Sequence, residues 1–130
     1  MNSSLNSDLR QALVPGARFG NYQILRRLGA GGMGEVYAAR DARLNREVAI
    51  KTLSLDRRSE AEALARFEKE ARAACALNHP NIVTIYELGE WDGTHYIAME
   101  LVEGETLRQV LASGPLAFRR VAAMAITILE

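Results

Sequence analysis

Leu28-Gly29-Ala30-Gly31-Gly32-Met33-Gly34-Glu35-Val36-Tyr37 carries four glycines within the six positions 29–34. Glycine accepts positive φ and lets a backbone approach a ligand with no Cβ in the way. The same freedom is entropically costly, so a loop this rich in glycine points to a use. A row of free backbone N–H groups is suited to an anion. The flanks read as strands: Tyr22 to Leu28 before the loop, and Glu35 to Arg40 after it. The loop is therefore the tip of a hairpin, strand to strand.

Working outward, Asp41 to Arg46 is a polar turn, and Glu47 to Leu53, with Val48-Ala49-Ile50, is a third strand. The period then changes. Ser59 and Glu62 have capping-box spacing, in which each side chain satisfies a backbone N–H at a helix start. Ala63, Phe67, Ala71 and Ala74 recur at helical spacing, so Asp56 to Ala76 reads as a long amphipathic helix. Asn78-His79-Pro80-Asn81 ends it, since proline cannot continue a helix. Ile82 to Leu88 and His95 to Val102 are strands joined at Asp92-Gly93, a hairpin signal. Glu105 to Ala112 and Leu116 to Glu130 read as two further helices. Three strands, a helix and a hairpin predict an α+β unit, a five-stranded antiparallel sheet packed by one long helix.

Composition excludes several function classes. Sixteen Lys+Arg against sixteen Asp+Glu leave no net charge to attract nucleic acid or a membrane surface. The single Cys75 excludes a disulfide framework and a cysteine-rich metal site, and fits a reducing, cytoplasmic setting. No stretch has the ~18 apolar residues of a membrane span, and the N-terminus lacks an apolar signal core. Cys75, His79 and His95 are assigned to structure, because no catalytic or metal-binding partner accompanies them. Residues 1–17, rich in Ser and Asn and carrying Pro15-Gly16, read as a flexible arm.

Three phosphate-binding motifs compete for the glycine loop. Gly29 and Gly34 have Walker spacing, but Glu35 stands where that motif needs lysine, and a strand follows instead of a helix. Gly29-x-Gly31-x-x-Gly34 also matches the dinucleotide fingerprint, which again requires a following helix to hold the pyrophosphate. The third motif, G-x-G-x-x-G-x-V followed by V-A-I-K on the third strand, is met in full by Gly29, Gly31, Gly34 and Val36 with Val48-Ala49-Ile50-Lys51. From about Tyr22 to Glu130 the chain resembles the N-terminal lobe of a bacterial serine/threonine protein kinase. Leu77-Asn78-His79-Pro80-Asn81-Ile82-Val83 adds to that likeness.

The resemblance divides the chain into the arm at 1–17, an N-lobe at 18–103 and the start of a C-lobe at 104–130. It implies ATP as ligand. Gly29, Ala30, Gly31, Gly32, Met33, Gly34 and Glu35 would form a flap over the phosphates. Leu28 and Val36 would clamp the adenine from above, with Ala49 leaving room for the base. Lys51 would contact the α- and β-phosphates. Met99 would be the gatekeeper, and the Glu100 carbonyl and Val102 amide would meet the adenine edge. Ala63, Phe67, Glu70 and Ala74 fall on one helical stripe, and a carboxylate on an apolar stripe needs a cation. Lys51 is the expected partner of Glu70, as in the family's lysine–glutamate pair.

The family's chemistry also needs the Asp of H-R-D and the Mg²⁺-holding Asn and D-F-G Asp. Asp8, Asp41, Asp56 and Asp92 are the only aspartates, and none lies in either motif. The chain is thus expected to stop within the helix preceding the catalytic loop, to have no protein ligands for Mg²⁺, and to be inactive alone. The alternative is an interaction module. In that case Val121, Met124, Ala125, Ile128 and Leu129, left exposed on residues 116–130, would bind a kinase or a second copy.

Overall fold

The computed structural model describes residues 13–31, 34–53 and 60–129. Its strands are β1 (Arg18–Phe19), β2 (Tyr22–Gly31), β3 (Gly34–Asp41), β4 (Arg46–Thr52), β5 (Ile85–Trp91) and β6 (Thr94–Glu100). Its helices are α1 (Glu60–Cys75), between β4 and β5, then α2 (Leu107–Ala112) and α3 (Phe118–Leu129). The strands make one antiparallel sheet in the order β1-β2-β3-β4-β6-β5.

The sheet has six strands where the sequence predicts five. The addition is β1, whose Arg18 and Phe19 pair with Gln23 and Tyr22. Two residues are too few to show a period, so only the pairing reveals this strand. Residues 13–17 also differ from the expected arm. Leu13 and Ala17 pack on the sheet, and Gly16 N–H donates to Ile24 O at 2.7 Å. Residues 1–12 lie outside the described residues, as does Ser59 of the predicted capping box. The hairpin signal at Asp92-Gly93 is used as expected, with φ of 48° and 77° at the two turn positions.

Strand alternation gives the sheet two faces. The upper face carries Phe19, Tyr22, Ile24, Tyr37, Ala39, Val48, Ile50, Tyr96 and Ala98, roofed by Leu13 and Ala17. The lower face meets α1 through Leu53, Ile97, Phe67 and Ala71, with Leu64, Ile85 and Met99 at the margin. The register change between Ile85 and Glu87 transfers β5 from one face to the other: Ile85 packs below, and Glu87 reaches above.

The sheet is strongly curled. Three strands separate β2 from β5 in the sheet order, yet the Tyr22 hydroxyl on β2 donates to the Glu87 carboxylate on β5. Arg43, in the β3–β4 turn, bridges Glu87 at 3.3 Å and Asp41 at 3.6 Å. Tyr96 joins the group, edge-on to Phe19 and Tyr22 at 5.1 and 5.9 Å. Burial first, and then the bond to Glu87, push the Tyr22 hydroxyl above its usual range. Tyr96 shifts upward as well, again chiefly through burial.

After β6 the chain leaves the sheet. Thr106 caps α2 in a reciprocal capping box with Gln109, at 3.1 and 2.7 Å. Helix α3 meets the turn after α1 where Asn81 Nδ2 donates to Thr127 O at 2.9 Å. Much of its apolar surface is exposed, including Val121 and Ile128. Among the described residues no helix is long and apolar enough to cross a membrane.

Candidate functional site

The glycine loop closes the β2–β3 hairpin. Gly29 pairs with Val36, Ala30 with Glu35, and Gly31 with Gly34. Gly34 has φ of 154°, a backbone that side-chain-bearing residues rarely adopt. A Cβ built on Gly29 would meet nothing within 4 Å, so the hairpin backbone is open to a ligand there. Gly32 and Met33, predicted flap residues, lie outside the described residues. Leu28 falls in the bulge between the Arg27 and Gly29 pairings and is largely exposed.

Beyond the loop, antiparallel register assembles the lower face row by row. Val36 pairs with Lys51, and Lys51 with Ile97. In the next row Ala38 pairs with Ala49, and Ala49 with Met99. Cross-strand partners share a face, so Val36, Ala49, Lys51 and Met99 lie on one surface directly after the glycine hairpin. The alanines keep that surface low, and Lys51, half-buried, sets a cation at its loop end. The expected strand positions are thereby brought together.

The end of β6, expected to meet an adenine edge, follows on. Met99 packs at the edge of the lower cluster, against the side of the sheet that α1 covers. Glu100 is the last residue of β6; its N–H donates to Thr84 O at 2.8 Å, and its carboxylate accepts the Thr84 N–H at 3.2 Å. Val102 lies past the ladder, exposed, and its N–H makes no backbone hydrogen bond among the described residues.

Lys51 and Glu70 are not brought together. Among the described residues no ion pair within 4.0 Å joins them, and Glu70 is exposed. The reason lies in how α1 is rotated. Phe67 and Ala71 are its buried residues, at 1% and 2% exposure. At 3.6 residues per turn Glu70 stands about 60° round the helix from Phe67 and about 100° from Ala71. It therefore flanks the buried stripe, with water available to its carboxylate.

Sequence reading missed a second set of side chains, on the upper side of the hairpin. Arg27 and Tyr37 are cross-strand partners, and the Arg27 guanidinium lies 3.2 Å from Glu35. The Tyr37 hydroxyl donates to Glu35 and accepts the Leu13 N–H at 3.1 Å. Opposite charges on either side of the loop, at 27 and 35, were the available signal. Elsewhere, an open hollow of about 470 Å³ lies between His79, Ile82 and the end of α3, away from the Lys51 surface. His79 Nδ1 is engaged by the Asn81 N–H at 3.0 Å.

The family's metal can be tested against these residues. No group of three or more His, Cys, Asp or Glu able to hold a metal ion occurs among the described residues. The described residues therefore do not fit a Mg²⁺ site built from protein side chains alone.

A family model described as the protein kinase domain matches residues 22–130. The chain belongs to the protein kinase family. Over 98 residues it is 55% identical to serine/threonine-protein kinase PrkC of Bacillus subtilis, an alignment covering 75% of this chain and 15% of PrkC. It is 48% identical over 92 residues to PknF of Mycobacterium tuberculosis, covering 71% of this chain and 19% of PknF. The crystal structure of the M. tuberculosis PknI kinase domain superposes with a TM-score of 0.75 at 33% identity, covering 90% of this chain and 48% of that one. The chain thus spans under a fifth of these two curated relatives and about half of the PknI domain. The N-lobe resemblance read from the glycine and lysine motifs is borne out, as is the kinase-like α+β fold.

Proposed function

We propose that residues 18–103 are the ATP-binding lobe of a serine/threonine protein kinase working in a reducing, cytoplasmic setting, and that residues 104–130 begin the second lobe. One observation carries this reading: the register that sets Val36, Ala49, Lys51 and Met99 on one surface below the glycine hairpin. A flat base fits against the alanine-lined row, between Leu28 and Val36 above and the hinge behind. The Glu100 carbonyl and Val102 N–H meet its edge. The hairpin amides of residues 29–35 cover the phosphates, and Lys51 stabilises their charge.

In the family the bound nucleotide supplies the γ-phosphoryl group for a protein serine or threonine. This chain's share is to bind, orient and exclude water. The transfer itself also requires a proton-accepting aspartate and metal ligands, and the 130 residues contain neither H-R-D nor D-F-G. The 130-residue chain is accordingly a nucleotide binder without turnover.

Equilibrium binding of ATP and adenosine tests this. Lys51→Ala removes a charge-assisted contact of about 1.5–3 kcal/mol, so ATP affinity falls at least about tenfold. Adenosine affinity stays unchanged, because Lys51 addresses phosphate alone. Equal loss for both ligands, or phosphotransfer by the parent chain that Lys51→Ala abolishes, would overturn the proposal.

A further inference from the structure

The glycine hairpin has few side chains with which to hold its own position, since Gly29, Gly31 and Gly34 offer none. It also departs from the sheet through two irregularities, at Ile24/Arg26 and Arg27/Gly29. A bulge bends its strand and weakens the local ladder. The hairpin's angle to the sheet therefore depends on the last layer of side chains before the glycines. That layer is Arg27, Glu35 and Tyr37, on the face opposite Val36 and Lys51.

Each member is held. Tyr37 is 1% exposed, with its ring fixed in the upper cluster. Its hydroxyl lies between the Leu13 N–H and the Glu35 carboxylate, and Glu35 reaches across the hairpin to Arg27. Thr52 Oγ1 donates to Glu35 O at 3.3 Å, tying the same residue to β4. Beyond Tyr37, Leu13 and Ala17 cover the upper cluster, and β1 continues from them onto β2. A continuous polar chain thus runs from the segment ahead of the sheet to the root of the glycine hairpin.

We infer that Leu13–Phe19 is a positioning strap for the glycine flap, and that Tyr37 and Glu35 are the positioning residues that transmit it. Neither side chain needs to touch a ligand. They act through the hairpin backbone, and a change in the strap alters the flap without any change at Lys51. The coupling itself is independent of what the flap covers; its consequence for phosphate binding rests on the nucleotide reading above.

Amide hydrogen exchange over residues 29–36, without nucleotide, reads the coupling directly. Tyr37→Phe keeps the buried ring and removes both hydroxyl bonds. It speeds exchange there about three- to tenfold, the range for one or two lost hydrogen bonds. Deleting residues 1–13 removes the Leu13 donor and acts in the same direction. Glu35→Gln, at a half-exposed position, gives a folded variant should Tyr37→Phe fail to fold. Tyr22→Phe removes a hydroxyl from the same sheet face but outside the chain, and leaves hairpin exchange unchanged. In parallel, Tyr37→Phe lowers affinity for ATP about three- to tenfold. Unchanged hairpin exchange in both Tyr37→Phe and the deletion refutes the strap, whatever ATP does. Faster exchange in these variants, with a parent chain that binds no ATP, supports the strap and removes the nucleotide reading instead.

Discussion

Gly89→Ala tests the packing of Tyr96 against β5. A Cβ at position 89 would lie 2.8 Å from Tyr96 Oη, 2.9 Å from Cζ and 3.0 Å from Cε1. The first two distances are shorter than real Cβ contacts and the third is at their lower limit, so something must move. The Tyr96 ring is poorly placed to do so: it is 7% exposed and wedged edge-on between Phe19 and Tyr22. Moving β5 instead would pull Glu87 away from Tyr22 and Arg43. Forcing one extra carbon into a packed site costs about 1–3 kcal/mol. In a domain of this size each kcal/mol lowers Tm by about 3–6 °C. Gly89→Ala should therefore lower Tm by about 3–18 °C. Thermal unfolding followed by far- and near-ultraviolet circular dichroism measures this. In a Tyr96→Phe background only the 2.8 Å contact disappears, so most of the penalty persists. A Tm within about 2 °C of the parent would show that Tyr96 does not abut β5 in this way.

Two further outcomes follow from the same contacts. The hydroxyls of Tyr22 and Tyr96 ionise at higher pH in the folded chain than in the unfolded one. Their contribution is complete below the unfolded value of about 10 and is lost as pH rises through the folded values. Above pH 10 urea stability should fall by up to about 1.4 kcal/mol per pH unit for each hydroxyl, and Tyr22→Phe should remove one share of that slope. An unchanged slope would count against the burial of Tyr22. Glu70→Gln, at an exposed site without an ion pair to Lys51, should change stability by less than about 0.5 kcal/mol without nucleotide. A loss above about 2 kcal/mol by chemical denaturation would mean that Glu70 is paired in the ligand-free chain.

The family and the loop end of the site were legible because their signals are local. The positive φ at 34 and the open backbone at 29 show as glycines, and a period-2 strand carries Ala49 and Lys51 on one face. The register of hairpins follows from their turns, so Val36 beside Lys51 could be anticipated from neighbouring strands. The Glu70 expectation shows where such reasoning stops. Helical spacing placed it beside Ala63, Phe67 and Ala74, but spacing alone does not say which meridian of the helix is buried. Packing of Phe67 and Ala71 under Leu53 and Ile97 decided that, and it left Glu70 at the flank.

By itself, the sequence determined the hairpin, the lysine strand, the long helix and the kinase family, since each rests on residues close together in the chain. The tertiary structure alone decided the sixth strand, the curl that joins Tyr22 to Glu87 across 65 positions, and the reach of Leu13 to Tyr37 across 24. Those contacts depend on sheet order and twist. Both are set by the packing of two faces at once, which no period in the sequence records. The glycine stretch shows both contributions: its glycines are read from the sequence, and its contacts to Tyr37 and Leu13 come only from the tertiary structure.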